Sequence, residues 1–326
     1  MDEFSRRRSV GVHAARRAGT LTLAACLLLS CTQETSDHRT RQAAAQPSLT
    51  ASGNPAGRSP SPAQQSSPDE ILGRLPSVPE ASNAPALARR LELAAATLRD
   101  RKAAAGDVRR AGEFQQLAVR LLAAASNPFR RRVTSRLRPQ TAVVVRGAVR
   151  AASLLQAMTS PQRRLPRWRI VAAPPASELL GYYRVAQRRT GVPWTYLAAI
   201  HLVETRMGRI RGASTAGALG PMQFLPSTWD LYGAGGDIND PRDAILAAAR
   251  LLRANGAPGD MSGALRHYNQ STMYVRAVSE YARTMMRSRS AYRGYWHWRV
   301  LYRHARGTYV LPVGYPKVRP VLLRAG

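Results

Sequence analysis

Cysteine is nearly absent from this chain. The two present, Cys26 and Cys31, both precede residue 32, so neither a thiolate metal site nor a disulfide framework can be built in the body of the protein. Lysine is equally scarce: only Lys102 and Lys317 stand among 49 basic residues, so the cationic character is that of arginine. Acidic residues number 19, which leaves a formal net charge of +30 and predicts attraction to polyanions without naming one. Aromatics are few at 6%, yet an apolar content of 44% excludes wholesale disorder. A length of 326 residues leaves room for two domains of roughly 100–200 residues each.

The two cysteines sit in an informative context. Arg6, Arg7, Arg8, Arg16 and Arg17 outweigh Asp2 and Glu3, and an apolar stretch from Leu21 to Leu29 follows. That stretch is too short to span a bilayer and reads as a secretory signal. It ends Leu28-Leu29-Ser30-Cys31, which resembles the bacterial lipobox. The resemblance implies a signal over residues 1–31, lipidation of Cys31, an exported protein and a tether to a membrane face of the cell envelope. Residues 32–70 are rich in Gln, Ser, Pro, Ala, Thr and Gly with almost no large apolar side chain, the composition of a disordered linker.

Helical spacing of Leu, Val and Phe among many Ala and Arg predicts a helical N-terminal region over residues 71–165. It reads as two or three amphipathic helices, broken at Asn127-Pro128 and at Pro139, that serve packing or spacing. Pro161 to Pro175 forms a Pro- and Arg-rich boundary. Beyond it, residues 170–290 read as short helices with clear punctuation. Ser177 caps the first and Thr190-Gly191 ends it; Pro193 opens the second; Asp240-Pro241 opens the third, which stops at Asn255-Gly256; the fourth spans about Tyr274 to Met286. No alternating strand pattern stands out, so the fold class is all-α.

On a helix from Pro193 to about Gly208, Leu197, Ile200, Glu204 and Met207 fall on one face and Arg206 on the other. A lone carboxylate on an apolar stripe is costly when ionised, and desolvation moves its pKa toward what a general acid needs at neutral pH. Glu204 is therefore the first catalytic candidate; a structural Glu–Arg pair is the alternative. The segment Ser214 to Trp229 then supplies small residues that let backbone approach a ligand, with an amide and aromatics suited to sugars.

Val203-Glu-Thr-x-x-Gly208, Gly217-Ala-x-Gly-x-Met-Gln-Phe-x-Pro-Ser-Thr-Trp229, Asp240-Pro-x-Asp-Ala-Ile245 and Tyr268-Asn269 follow one another in order. Together they resemble the lytic murein transglycosylases over about Ser177 to Met286. The resemblance implies a goose-type-lysozyme-like helical fold with Glu204 as the sole catalytic acid/base. Met222 and Gln223 would line the cleft, Ser214 would occupy a small polar position before the Gly-rich turn, and Tyr268 with Asn269 would face the glutamate. Thr205 stands where the family usually has Ser, and keeps the hydroxyl. His267 stands where Ala is usual and reads as a partly exposed histidine.

The reaction the resemblance implies is cleavage of the β-1,4 bond between N-acetylmuramic acid and N-acetylglucosamine of peptidoglycan without water, leaving 1,6-anhydromuramoyl ends. A hydrolytic muramidase would need a second carboxylate, for which Asp230, Asp237, Asp240 and Asp243 are the candidates. Each has a simpler role as cap or turn residue, and a catalytically silent wall-binding protein is the remaining alternative. Residues 233–240 lack the ligand series of a calcium loop, so no metal and no cofactor are expected. The C-terminal segment 291–326 interleaves Tyr and Trp with Arg. That pattern can bind single-stranded nucleic acid, yet an exported chain meets little of it, and packing or sugar stacking explains the same residues. The partners expected are glycan strands, a membrane through the lipid, and anionic envelope polymers.

Overall fold

The computed structural model describes residues 83–323. The signal, Cys31 and the linker lie outside the described residues. Eleven helices and five short strands are found among those described.

Four helices precede the Pro-rich segment: α1 (Ala84–Arg99), α2 (Ala105–Ala124), α3 (Asn127–Thr134) and α4 (Pro139–Ala157). The breaks at Asn127-Pro128 and Pro139 lie where expected, because proline is welcome in a first turn and Ser126 Oγ accepts from the Phe129 amide. Two or three helices were too few. The missed break is at Asp100, whose carboxylate accepts from the Lys102 amide and turns the chain.

The second helical series is α5 (Ala176–Thr190), α6 (Trp194–Thr205), α7 (Pro226–Tyr232), α8 (Pro241–Ala254), α9 (Met261–Tyr268), α10 (Thr272–Arg287) and α11 (Arg289–Trp296). Asp240 Oδ1 caps α8 by accepting from the amides of Arg242 and Asp243, and Gly191 ends α5 in the left-handed region at φ 75°. Ser177 does not cap α5, which begins one residue earlier with Pro175 at the cap position.

Residues 165–175 do not divide the core. One continuous apolar cluster runs from Ala84 through α1–α4 into α5–α11 and ends at Trp298. α4 lies along α10 so closely that a Cβ on Gly147 would come 2.1 Å from Thr284 Oγ1. The N-terminal helices are thus a wall of the same body and not a separate spacer.

The fold is predominantly helical, with strands at two edges. Arg169–Ile170 (β1) pairs antiparallel with Ile210–Arg211 (β2). Val300–His304 (β3), Gly307–Leu311 (β4) and Val321–Leu322 (β5) form a three-stranded antiparallel sheet. Its hairpin turns at Ala305-Arg306, and Gly307 supplies a φ of 125°. Of the aromatic residues in this segment, Tyr292, Tyr295, Trp298, Tyr302 and Tyr315 are buried and pack within the fold, while Trp296 and Tyr309 are partly exposed.

Candidate active site

α6 is buried from Thr195 to Thr205, apolar on every side and not amphipathic as the stripe implied. It ends in an unusual run of left-handed residues, Arg206 at φ 55°, Met207 at 62° and Gly208 at 79°, so Met207 lies beyond the helix. Thr205 secures this exit. Its hydroxyl donates to the Pro221 carbonyl at 2.5 Å and accepts from the Gly208 amide at 3.1 Å. The hydroxyl shared by Thr and Ser is what this junction uses, and the extra methyl is buried with it.

Glu204, in the last turn of α6, is 2% exposed. Tyr274 Oη, in the first turn of α10, donates to Glu204 Oε1 at 2.6 Å. Burial first, and then the facing carboxylate, push the Tyr274 phenol well above its ordinary range, so it remains a proton donor. The same two causes raise the buried phenol of Tyr268.

Residues 219–224 form a tight loop beside this carboxylate. Leu219 and Phe224 exchange both backbone hydrogen bonds, and Gly220 and Gln223 take positive φ between them. Gly220 admits no side chain, since a Cβ there would meet the Ile238 carbonyl oxygen at 1.9 Å. Gln223 Nε2 donates to the Gly220 carbonyl at 2.8 Å, and Tyr268 Oη donates to the Met222 carbonyl.

Met222, Gln223, Tyr268 and Asn269 are all buried, at 0, 2, 1 and 5% exposure. Met222 is fully buried and its side chain packs in the apolar core. Tyr268 likewise presents almost no surface and ties the loop down through its hydroxyl. Asn269 Oδ1 accepts from the Ser271 amide at 2.9 Å and shapes the turn into α10. Ser214 Oγ accepts from the amides of Ala216 and Ala218, which makes it a turn residue preceding the loop. His267 is exposed. These residues build the frame around Glu204, and Tyr274, which the motifs did not single out, makes the direct contact.

Behind the carboxylate, His201 is fully buried on α6 with Nδ1 2.7 Å from Tyr183 Oη. Burial first, then Arg211 and Arg209, lower its pKa to about 3, so the imidazole is neutral. Burial raises the Tyr183 phenol well above its usual range, so it stays protonated beside the ring.

Glu204 is among the residues that line a cavity of about 120 Å³. Much of its lining comes from outside the second helical series. Gln116 and Arg120 on α2, Gln156 at the end of α4, Trp168, and Leu301 and Arg303 on β3 all line it. Gln116 docks these parts together: its Nε2 donates to the Arg299 carbonyl and its Oε1 accepts from the Arg299 amide, each at 2.8 Å. Glu113 beside it pairs with Arg299 at 3.6 Å.

Among the described residues, Glu204 is the one carboxylate lining the cavity. The four aspartates lie elsewhere. Asp240 caps α8, Asp243 Oδ2 accepts from the Asp237 amide, and Asp237 Oδ1 accepts from the Asn239 amide; Asp230 is in α7. Among the described residues no group of three or more His, Cys, Asp and Glu is placed to hold a metal ion. No helix among them is long and apolar enough to cross a membrane.

No curated protein and no solved structure matches the chain. A family model, described as the transglycosylase SLT domain, matches residues 181–289. That span holds Glu204, the 219–224 loop, Tyr268-Asn269 and Tyr274, and it covers less than half of the chain. The chain therefore carries a lytic-transglycosylase-like SLT domain, of the kind that cleaves peptidoglycan, over residues 181–289.

Proposed function

We infer that this protein is a peptidoglycan lytic transglycosylase with Glu204 as its single acid/base. The observation that carries this reading is one buried carboxylate, held by a neutral tyrosine, at a cavity with no other acid in its lining. Protonated Glu204 gives its proton to the glycosidic oxygen as the bond to the muramoyl anomeric carbon breaks. The muramoyl acetamido oxygen shares the charge left on that carbon. Deprotonated Glu204 then takes the proton of the muramoyl 6-hydroxyl, whose oxygen closes on the anomeric carbon. One residue performs both transfers and ends as it began, and the product is a 1,6-anhydro ring.

Hydrolysis is the competing reading, with water in place of the 6-hydroxyl. Mass spectrometry of sugars released from purified peptidoglycan separates the two, because anhydromuramoyl ends lack one water relative to reducing ends. Anhydro ends are expected; mainly reducing ends would make the enzyme a muramidase. Glu204→Gln should lower the rate by a factor of ~100 or more. Glycan binding by the wild-type chain without any release of sugar would mark a silent wall-binding protein.

The protein is also proposed to be exported and lipidated at Cys31, which follows from Leu28-Leu29-Ser30-Cys31 behind an arginine-rich start. Loss of a lipid label and of membrane fractionation in Cys31→Ala is the expected result. The net charge of +30 supports added adsorption to anionic envelope polymers or lipids. Such adsorption should weaken steeply with salt.

A further inference from the structure

The cavity at Glu204 is rich in arginine. Arg120, Arg206 and Arg303 all line it, and they reach it from α2, from the turn after α6 and from β3. Arg206 is half-buried and donates to the Leu202 carbonyl at 3.1 Å, which fixes it at the end of its own helix. Arg120 and Arg303 are different, because they come from two separate elements to the same place. Arg303 Nη1 is anchored on the carbonyls of Gln156 and Thr159 at 2.7 and 2.6 Å, and Arg120 Nη2 donates to Thr308 Oγ1. Both guanidiniums are therefore held by neutral acceptors.

Neither guanidinium takes part in an ion pair among the described residues, where the pairs are Arg110–Asp107, Arg150–Glu280 and Arg299–Glu113. Burial and the neighbouring Arg303 together lower the pKa of Arg120 to about 10, the direction expected when a cation faces a cation. Two partly buried guanidiniums without an ion-pair partner disfavour one another, and an anion set between them relieves both. Guanidinium forks suit a carboxylate, which accepts two parallel N–H bonds from each.

We propose that Arg120 and Arg303 form a subsite for a carboxylate of the peptide carried by the glycan strand. This rests on the reading of the chain as a peptidoglycan-cleaving enzyme. The sugar rings themselves carry hydroxyl and acetamido groups. The carboxylates of an intact strand sit on the peptide, which is joined through a lactyl ether to the muramoyl ring. That is the ring whose anomeric carbon must lie at Glu204, so its substituent enters the same cavity.

The test compares intact strands with strands whose peptide carboxylates have been capped as amides. The wild-type chain should cleave capped strands with a kcat/KM about 10-fold or more lower, the scale of a lost charge-assisted contact. Arg120→Gln should cleave both alike, and Arg120→Lys should retain part of the difference. Arg131→Gln, which removes an exposed arginine of α3, should discriminate as the wild type does, separating a local contact from general attraction to a basic protein. Equal cleavage of intact and capped strands by the wild type would overturn the proposal, and so would full discrimination by Arg120→Gln. Amidase-stripped strands bear a bare lactyl carboxylate; if they are cleaved as well as intact ones, the anion recognised is the lactyl group and the assignment to the peptide fails. Calorimetric binding of intact and capped strands to Glu204→Gln reads the subsite without turnover. A preference there that Arg120→Gln abolishes would sustain the subsite even if the wild type released no sugar, in which case the proposed reaction alone would fall.

Discussion

Tyr274 and Glu204, 70 residues apart in sequence, meet through a hydrogen bond of 2.6 Å between the phenol and one carboxylate oxygen. The phenol is neutral and fully buried, so it holds the carboxyl group in one orientation whichever proton transfer is under way. Tyr274→Phe keeps the ring and removes the bond. We expect kcat to fall about 10-fold or more while the KM for peptidoglycan changes less, measured as sugar release under initial-rate conditions. An unchanged kcat would show that Glu204 is oriented by other contacts.

His201 makes stability depend on pH. Its folded pKa of about 3 lies below the ordinary value of 6.5, so the unfolded chain binds the extra proton first. The stability it contributes is fully present above about pH 6.5 and declines as pH falls toward 3. At pH 4.5 the loss should reach about 3 kcal/mol, two pH units at 1.36 kcal/mol each. Urea midpoints at pH 7.5 and 4.5 measure it, and His201→Phe should have a flatter profile even though it begins less stable.

Gln116 joins α2 to the chain at residue 299 through two backbone hydrogen bonds. Replacing it with Leu leaves a buried amide and a carbonyl without partners, at a cost of about 2–4 kcal/mol. Chemical denaturation should show that loss. Because the same residue lines the cavity, activity should fall at temperatures well below the unfolding midpoint.

Gly147 is where α4 meets α10. A methyl group there would collide with Thr284 Oγ1, so Gly147→Ala should destabilise by about 1–3 kcal/mol. Thr284→Ala removes the obstructing hydroxyl, and the double variant should recover most of the loss. Additive losses in the double variant would mean that the contact at this crossing is not the cause.

The outline of the second helical series was legible because its punctuation is local: Asp240 and Pro241 open α8, and Gly191 closes α5. Glu204 stood out as an acid in an apolar helix. Its burial did not come from a stripe, since α6 is enclosed on all sides and a period of 3.6 carries no information there. In the sequence Tyr274 marks only the approximate start of the fourth helix. The available signal was that Tyr274 and Tyr281 lie seven apart on the apolar side of α10, and a buried phenol needs a partner. Met222 and Tyr268 lie in the frame around Glu204, joined by the bond from the Tyr268 hydroxyl to the Met222 carbonyl, a link between distant segments that a motif does not reveal. The three-stranded sheet was missed since arginine and aromatic residues drew attention away from the alternation in Val300–His304. The shared core of the two helical series depends on contacts between distant segments, such as Gly147 with Thr284, which no local pattern reveals.

Part of the lining of the cavity at Glu204 is contributed by α2, α4 and β3, all outside the span that carries the SLT match. The proposed function thereby assigns chemistry and selectivity to different stretches of the same chain. Substitutions in α2 or β3 can retune which strands are accepted while the acid/base and its tyrosine stay untouched. Two proteins with the same catalytic segment but different flanking helices would be different enzymes in practice. Grafting the flanks, rather than editing the motif, is the direct way to exchange their substrates.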